Sequence, residues 1–391
     1  MIAASVGVGK GNDAFRAGKG ACMQALDGMP EKKADALIVF GSIFFDQDKL
    51  IEGVLAVAPD ILTVGCSTSG ELSSEGFVTE KSVVVLALSS DQIKFNAGLG
   101  NHILWNPGQA GLDCATTLRG GASGSENSTI VFFDIVAGSG DKTLAGLREG
   151  LGATLPVWGG ASGDDLLFFE TYQYFGGKAY TGSIVGLGLS GSHHAVGVAL
   201  HGFLPVGRSR LVTKAEGTRL IELDGKPAAA IYEEYFGPEH FAELHKGLLP
   251  TLAASYPLGV SSPARDQIFL RNPIAVLPEG ALILASPIPF GAEVRLMVSD
   301  TERALETARI AAEEALKRLE GRKPKAIIII DSVTRKRIIG PRAGEEVEII
   351  QRILGRDVPI AGFYGYAEVA GEGIGGDMVH NGSMLIWAIA E

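Results

Sequence analysis

Uninterrupted apolar runs recur along the chain and predict strands that are buried on both faces. Three of these runs occupy residues 36–40, 129–133 and 326–330. A strand with one face in solvent alternates apolar and polar residues, and these runs do not, so their sheets should be covered on both faces. Each run is followed by a helical periodicity and then by a second apolar strand. This order of elements predicts an α/β fold.

The same order of elements occurs three times, which indicates an internal repeat. Each unit reads as strand, helix, second strand, glycine-rich turn ending in an acid, hairpin and last apolar strand. The three turns are residues 65–71, 159–164 and 362–368. The β-α-β part should cross over right-handedly between parallel strands, and the hairpin should add antiparallel strands. We therefore predict domains built from repeated β-α-β-hairpin units, with mixed β-sheets flanked by helices.

The pattern changes between the second and third units. Residues 195–225 alternate as strands do, and residues 231–256 have the pattern of a helix. A second, long helix should begin with a capping box formed by Ser299 and Glu302. A chain of 391 residues is also too long for one ordinary core. These observations predict two domains, with the boundary near Lys214.

Composition and charge exclude several classes of function. The net charge is −11 and no stretch is rich in Lys and Arg, so the surface should repel nucleic acids and anionic membranes. We expect no signal peptide, and no apolar stretch reaches the roughly 20 residues of a membrane-spanning helix. The three cysteines (Cys22, Cys66 and Cys114) form neither a disulfide framework nor a metal-ligand spacing. Together these features predict a cytoplasmic protein.

The order of these segments resembles that of the FIST family, in which a FIST N-terminal domain precedes a FIST C-terminal domain. The residues that carry the resemblance are 64–71, 82–88, 222–228, 256–259, 359–368 and 380–381. The resemblance assigns residues 1–214 to the first domain and residues 215–391 to the second. It implies a signal-input protein that senses a small ligand, such as an amino acid or a small carboxylate. Because no output domain follows Glu391, we expect it to act through a separate signalling partner.

The polar residues of the three glycine-rich turns are the first candidates for a ligand site. These turns follow strands, where open α/β sheets usually bind ligands, and their backbone N–H groups can hold an anion. The alternative, that they are tight turns whose acids cap hairpins, stays open. The candidate ligand-binding residues of the turns are Thr68, Ser69, Glu71, Ser162, Asp164, Tyr364 and Glu368.

Two arginines, Arg271 and Arg335, lie in otherwise apolar or turn-rich surroundings. A guanidinium group binds a carboxylate through two parallel hydrogen bonds, as a sensor of amino acids would require. The alternative is a structural ion pair with a nearby acid, for which Asp331, Glu368 and Asp377 are the candidates.

Two residues near the end of the chain, His380 and Asn381, fall on the resembling segments together with Glu368. We predict that these three side chains bind a polar group of the ligand, such as an amino group. An ordinary buried hydrogen-bond network is the alternative.

Catalytic and cofactor chemistry has weaker support in the sequence. Cys66 lies in a turn after a strand, as nucleophiles often do, but no histidine stands at a recognisable spacing from it. His193 and His194 should point to opposite faces of a strand. His240 and His245 are five residues apart rather than four, so we predict no metal site. We expect a non-enzymatic sensor. The alternatives are a haem-based gas sensor, which the resemblance allows and which needs one axial histidine, and a Cys66-dependent hydrolase or transferase.

Overall fold

The computed structural model describes residues 1–76, 81–120, 126–243, 255–261, 268–371 and 379–391. It contains three mixed sheets with a similar arrangement of strands and a fourth, inserted sheet. In each of the three sheets, one parallel pair of strands is flanked by antiparallel strands. Their inner faces share one apolar core, and helices pack on their outer faces. The predicted α/β class with mixed sheets flanked by helices is confirmed.

The first unit contains two helices that approach each other closely. A Cβ atom on Gly18 would lie 2.2 Å from the Leu50 carbonyl oxygen, and one on Gly53 would lie 2.1 Å from that of Phe15. Only glycine therefore permits this helix packing. The elements are β1 (Ile2–Lys10), α1 (Ala14–Asp27), a 3-10 turn (Pro30–Lys32), β2 (Ala36–Ser42), α2 (Gln47–Leu55), β3 (Leu62–Thr68), β4 (Glu71–Ser73) and β5 (Ser82–Ser90).

The second unit repeats this arrangement, including the glycines between its helices. A Cβ atom on Gly111 would lie 1.9 Å from the Thr143 carbonyl oxygen, and one on Gly146 would lie 1.8 Å from that of Gly108. The shared packing device supports the predicted repeat. The elements are β6 (Ile93–Gly100), α3 (Pro107–Gly120), β7 (Glu126–Phe133), α4 (Gly140–Leu151), β8 (Val157–Ala161), β9 (Gln173–Phe175), β10 (Lys178–Tyr180) and β11 (Ile184–Gly191).

The third unit begins with β12 (His194–Leu200) and is then interrupted by the inserted sheet. Lys214, the predicted domain boundary, lies inside the first inserted strand. The predicted helix over residues 231–256 is observed as α5, which is broken at Gly237, and residues 244–254 lie outside the described part. The inserted elements are β13 (Leu204–Glu216), β14 (Arg219–Leu223), β15 (Lys226–Pro227), α5 (Ala230–Glu243), β16 (Leu258–Ser261), β17 (Ile268–Arg271), β18 (Pro273–Val276), β19 (Leu282–Leu284) and β20 (Glu293–Val298).

After the insertion the third unit resumes with a long helix. The predicted capping box of Ser299 and Glu302 is wrong, because Asp300 is the N-cap and its carboxylate accepts from the Arg303 N–H. None of the described helices is both long enough and apolar enough to cross a membrane. The elements are α6 (Thr301–Arg318), β21 (Pro324–Ser332), α7 (Val333–Ile339), a 3-10 turn (Gly340–Arg342), α8 (Gly344–Leu354), β22 (Ile360–Gly365), β23 (Ala367–Gly371), β24 (Val379–His380) and β25 (Met384–Ala390).

Each of the three sheets is completed by a strand from another unit. The sheet orders are β1-β5-β2-β3-β9-β10, β6-β11-β7-β8-β23-β24 and β12-β25-β21-β22-β4. Strand β9 of the second unit pairs with β3 in the sheet of the first unit. Strand β23 of the third unit pairs with β8 in the sheet of the second, and β4 of the first unit pairs with β22 in the sheet of the third. This cyclic strand exchange closes the three units into a ring. The inserted sheet has the order β17-β16-β20-β13-β14-β19-β18, with β15 on β14.

The centre of the ring is marked by three aromatic rings, one from each sheet. The ring centroids of Phe40, Phe132 and Phe363 are 4.9 to 5.9 Å apart. Three backbone hydrogen bonds join the units near the ends of their parallel strands. Their donors are the N–H groups of Ser69, Gly163 and Tyr366, and their acceptors are the carbonyls of Tyr364, Ser67 and Ala161, at 2.8, 3.0 and 3.2 Å respectively.

Candidate functional site

A cavity of about 510 Å³, hereafter the large cavity, lies between the second unit, the third unit and the inserted sheet. It lies at the carboxyl ends of β7 and β21, the position at which α/β sheets commonly bind ligands. The lining consists of residues 135–136, 138–139, Leu166 and Phe168 of the second unit, residues 332–334 and Tyr366 of the third, and Thr218, residues 272–275 and residues 283–285 of the inserted sheet.

Among the residues that the structure describes, the lining of the large cavity is mainly apolar and includes no charged side chain. Its polar groups are hydroxyls and one amide, that of Asn272. The Asn272 Nδ2 atom donates to Thr334 Oγ1 at 3.3 Å. The buried Oδ1 atom of the same amide accepts no hydrogen bond from the described residues. A ligand that suits this lining has an apolar body and one hydrogen-bond donor.

One wall of the large cavity is held in place by Asp164, one of the predicted site residues. Its carboxylate accepts hydrogen bonds from the backbone N–H groups of Phe168 at 3.0 Å, Phe169 at 2.7 Å and Glu170 at 3.0 Å. The Tyr366 hydroxyl also donates to this carboxylate, and the Tyr366 ring stacks on Phe168 with centroids 4.7 Å apart. Burial, followed by the hydrogen bond to Asp164, raises the pKa of Tyr366. Asp164 therefore does not line the large cavity itself but holds Phe168 and Tyr366, which do.

The predicted residues of the first turn form a buried cluster of their own. The Glu71 carboxyl group accepts hydrogen bonds from the hydroxyls of Thr68 and Ser82. Burial raises the pKa of Glu71 to about 8, against the opposing effect of these hydrogen bonds and of the Lys336 charge. The Lys336 Nζ atom donates to the Ser69 carbonyl at 2.6 Å. These groups bind one another, and none of them lines the large cavity.

Arg335 and Tyr364 belong to a fully buried ionic network. The guanidinium group donates from Nε to Asp331 Oδ1 at 2.8 Å, from Nη2 to Glu346, and from Nη2 to the Ala304 carbonyl at 3.0 Å. The Tyr364 hydroxyl donates to Glu346 Oε2 at 3.2 Å. Burial and the Asp331 charge raise the pKa of Glu346 well above its usual value. Asp331, one of the alternative partners considered for Arg335, is thus one of the two acids that it contacts, the other being Glu346.

Arg271 binds backbone carbonyl groups. Its Nε donates to Pro287 at 3.1 Å and its Nη1 to Leu270 at 2.9 Å, and its side chain is buried. Asp377, which the sequence offers as a partner, lies outside the described residues.

The predicted group near the end of the chain lies on β23, β24 and the turn that follows. Glu368 is buried, and its Oε2 accepts from the Ser383 N–H at 2.9 Å, while burial raises its pKa well above the usual value. His380 pairs with Glu368 across the two strands and lines a second cavity of about 430 Å³. Asn381 donates to the Tyr366 carbonyl at 3.5 Å.

None of the predicted ligand-binding residues lines the large cavity. The structure brings Thr68, Ser69, Glu71 and Tyr364 together around Lys336, whose ammonium group lies 5.9 Å from the Tyr364 ring centroid. Sequence reasoning missed three residues that lie beside predicted ones: Lys336 follows Arg335, Asn272 follows Arg271, and Tyr366 stands two residues after Tyr364. In the sequence, these three residues are marked only by their closeness to a predicted site residue.

Cys66 does not have the surroundings of a nucleophile. It is fully buried at the centre of the ring, where β3 lies against β2. Burial raises the pKa of its thiol well above the usual value, although a hydrogen bond with Ser162 acts in the opposite direction. A buried and protonated thiol is unreactive. The Ser162 hydroxyl also accepts from Gln173 Nε2 at 2.9 Å.

Haem does not fit the large cavity. No described His, Cys or Met lines it, and Tyr366, the tyrosine among its described lining residues, is bonded to Asp164. Two of the described histidines line the second cavity: His201, whose ring nitrogens are both bonded to backbone groups, and His380. His245 and the side chain of His240 lie outside the described residues. Among the described side chains, no group of three or more His, Cys, Asp and Glu is arranged to hold a metal ion.

Two family models match successive parts of the chain. The FIST N domain matches residues 35–226 and the FIST C domain matches residues 228–371. An uncharacterised protein of Mycobacterium tuberculosis is 27% identical over 193 residues, which is 48% of this chain and 49% of that protein. One from Methanocaldococcus jannaschii is 29% identical over 217 residues, covering 51% and 40%. The chain spans about half the length of the curated relatives it matches.

The solved structures that match are distant. Cyanuric acid hydrolase from A. caulinodans aligns over 100% of this chain and 99% of its own, with a TM-score of 0.39 and 11% identity. A likeness this weak does not bear on activity.

Proposed function

Because this chain belongs to the FIST family, whose domains are sensory modules of signal transduction, we propose that it is a signal-input protein that binds a small molecule in the large cavity. The observation that carries the proposal is the cavity. Its volume of about 510 Å³ is that of a small-molecule pocket, and its lining joins three parts of the fold. A ligand there contacts the inserted sheet and two units of the ring at once, so its binding energy can change how these parts pack.

The chemistry of the lining favours an uncharged ligand. The resemblance suggested an amino acid or a small carboxylate, but none of the described Lys, Arg or His side chains lines the cavity to pair with a carboxylate. Moving an unpaired charge into an apolar site is costly. We therefore propose a mainly apolar molecule with an N–H or O–H donor that reaches Asn272 Oδ1, which is buried and accepts no bond from the described residues.

The lining also favours binding over turnover. It has the hydroxyl groups of Ser139, Ser332 and Thr334, but within the described part of the chain no His, Lys, Asp or Glu lines it to activate them as nucleophiles. We propose a non-catalytic role in which ligand occupancy is read by a separate partner protein.

A thermal-shift screen tests the ligand class. We expect uncharged compounds with an apolar ring and one donor to raise the melting temperature, because a ligand that binds only the folded state stabilises it by about 2.7 kcal/mol at 100 times its Kd. Free amino acids and small carboxylates should give no shift. A shift from carboxylates alone would contradict the proposed ligand chemistry.

A pair of variants places the ligand in the fold. Ala275→Phe, on β18, should fill part of the large cavity and abolish the shift. Ala179→Phe makes the same substitution on the short strand β10, away from the cavity lining, and should retain it. Ligand binding that survives in the Ala275→Phe protein would place the site elsewhere.

A further inference from the structure

The segment 164–172, which follows β8, has apolar residues on two opposite sides. Leu166 and Phe168 line the large cavity. The alternating residues Leu167 and Phe169 point the other way, and they are 63% and 84% exposed. Both line a surface groove of about 340 Å³ between this segment and the loop before α2. One short segment therefore separates the large cavity from an apolar surface.

The backbone of this segment adopts unfavourable conformations to present these side chains. Asp165, Leu166 and Phe168 have φ values of 56°, 66° and 49°, which lie in the left-handed region that residues with a Cβ atom rarely adopt. The four hydrogen bonds to the Asp164 carboxylate hold this conformation. Strained backbone of this kind is concentrated at functional sites, and here it keeps two large apolar side chains in solvent.

Acidic side chains surround the groove. The carboxylates of Asp46, Asp48 and Glu170 line it, as does the buried Asp164, whose carboxylate is bonded within the segment. The Lys49 Nζ atom lies 3.6 Å from Asp46. The same carboxylates act on Tyr172 in the groove. Burial first, then its hydrogen bond to Glu170, and then the charges of the three carboxylates raise the pKa of Tyr172 to about 12. We call this surface, formed by Leu167, Phe169, Tyr172 and the three carboxylates, the acidic groove.

We propose that the acidic groove is the docking surface for a partner protein whose contacting segment carries apolar side chains flanked by Lys or Arg. The inference rests on the proposed function, because a partner that reads ligand occupancy must contact an element that the ligand also touches. Charge complementarity selects this occupant. A second copy in a two-fold contact would set the carboxylates against each other, and an anionic membrane would be repelled by them.

Selection from a random peptide library displayed on phage tests the docking surface. The wild-type protein is the bait, and the selected peptides are then synthesised and titrated by fluorescence anisotropy. We expect them to be rich in Lys and Arg with apolar residues between. Leu167→Ser with Phe169→Ser should weaken their binding by at least about tenfold. The control is Leu104→Ser with Trp105→Ser, another exposed apolar pair at 65% and 82%, and it should bind as the wild type does.

The charge contribution has its own variant. Asp46→Asn with Asp48→Asn should weaken the peptides and reduce the salt dependence of their binding, because fewer charge pairs are screened. Peptides that bind the Leu167→Ser, Phe169→Ser protein as well as the wild type would overturn the inference, and so would selection of acidic peptides. Self-association abolished by the groove variant, or binding to phosphatidylserine vesicles through the groove, would also overturn it.

The outcome is separable from that of the proposed function. If a compound stabilises both the wild type and the groove variant while no peptide requires the groove, the docking surface is wrong and the ligand site stands. If peptides require the groove while no compound is affected by Ala275→Phe, the docking surface stands and the proposed ligand site is wrong.

Discussion

The buried carboxyl group of Glu71 makes the stability of the protein depend on pH. Its pKa is about 8 in the folded chain, against an ordinary value of 4.5. The folded state therefore binds this proton more tightly than the unfolded state does. Its stabilising contribution is fully present below the lower value and is lost as the pH rises through about 8.

Glu71→Gln isolates this effect, because the amide resembles the neutral acid and cannot ionise. Between about pH 5 and pH 8, we expect the free energy of unfolding of the wild type to fall relative to the variant by up to about 1.4 kcal/mol per pH unit. Urea unfolding at several pH values measures it, and the exposed Glu75→Gln variant should track the wild type. A gap between the wild type and Glu71→Gln that is constant with pH would contradict this prediction.

The guanidinium group of Arg335 stabilises two buried acids. Arg335→Leu would leave Asp331 and Glu346 without their cation, so we expect a loss of about 3–5 kcal/mol in the free energy of unfolding. Arg337→Leu, on an exposed position of the same helix, should stay within about 0.5 kcal/mol of the wild type. A small effect of the Arg335 variant would contradict this stabilising role.

At the scale of elements, glycine has opposite effects at two positions of α1. Gly18 faces α2, and an added Cβ atom would meet the Leu50 carbonyl oxygen, whereas one on the exposed Gly20 meets nothing within 4 Å. We expect Gly18→Ala to lower the free energy of unfolding by about 1–3 kcal/mol, because the added methyl group overpacks the contact between the two helices. Gly20→Ala should raise the free energy of unfolding by about 0.5–1 kcal/mol, because alanine has less backbone freedom than glycine in the unfolded chain. Thermal unfolding distinguishes the two, and equal effects would show that α1 and α2 are not in tight contact.

The local elements were largely accessible from the sequence. The predicted strands at residues 36–40, 129–133 and 326–330 lie within β2, β7 and β21, because a strand buried on both faces leaves an unmistakable apolar run. The N-cap of α6 was misassigned by one residue, since Ser299 and Asp300 are both good caps. Local chemistry alone does not decide which of two such neighbours ends the helix.

The candidate site was much less accessible. Polar residues in glycine turns were chosen because they can bind ligands, yet Glu71 and Asp164 bind the protein's own groups. The large cavity is lined by apolar residues, whose sequence pattern is that of any core. Its distinctive polar atom, Asn272 Oδ1, comes from the inserted sheet, and its position in the same cavity as Tyr366 depends on contacts between distant parts of the chain.

For the whole molecule, the cyclic strand exchange makes the three units depend on one another. Leu72 of β4 belongs to the first unit but packs in the outer core of the third sheet. We expect Leu72→Ala to cost about 2–5 kcal/mol and to lower the stability of all three units together. Urea unfolding followed by far-ultraviolet circular dichroism and by tryptophan fluorescence should give coincident transitions for both proteins. Separate transitions, with only one moved by the substitution, would show that the units fold independently.

The exchange itself could not be read from the sequence. The hairpin after each glycine turn has the same pattern whether it folds back on its own sheet or joins the next, because pattern specifies buried faces and not partners. The division into residues 1–214 and 215–391 likewise stays a prediction, and β4 pairs with β22 across it.

If a chain contained only one of these units, the strand that pairs with a neighbouring unit would have no sheet to join. Three separate copies in a ring could pair every such strand, and their three positions would be equivalent. In a single chain the three units need not be equivalent, since an insertion can enter one of them alone. The sheet that follows β12 is such an insertion, and it forms one side of the large cavity. The candidate receptor site therefore lies where the symmetry of the ring is broken.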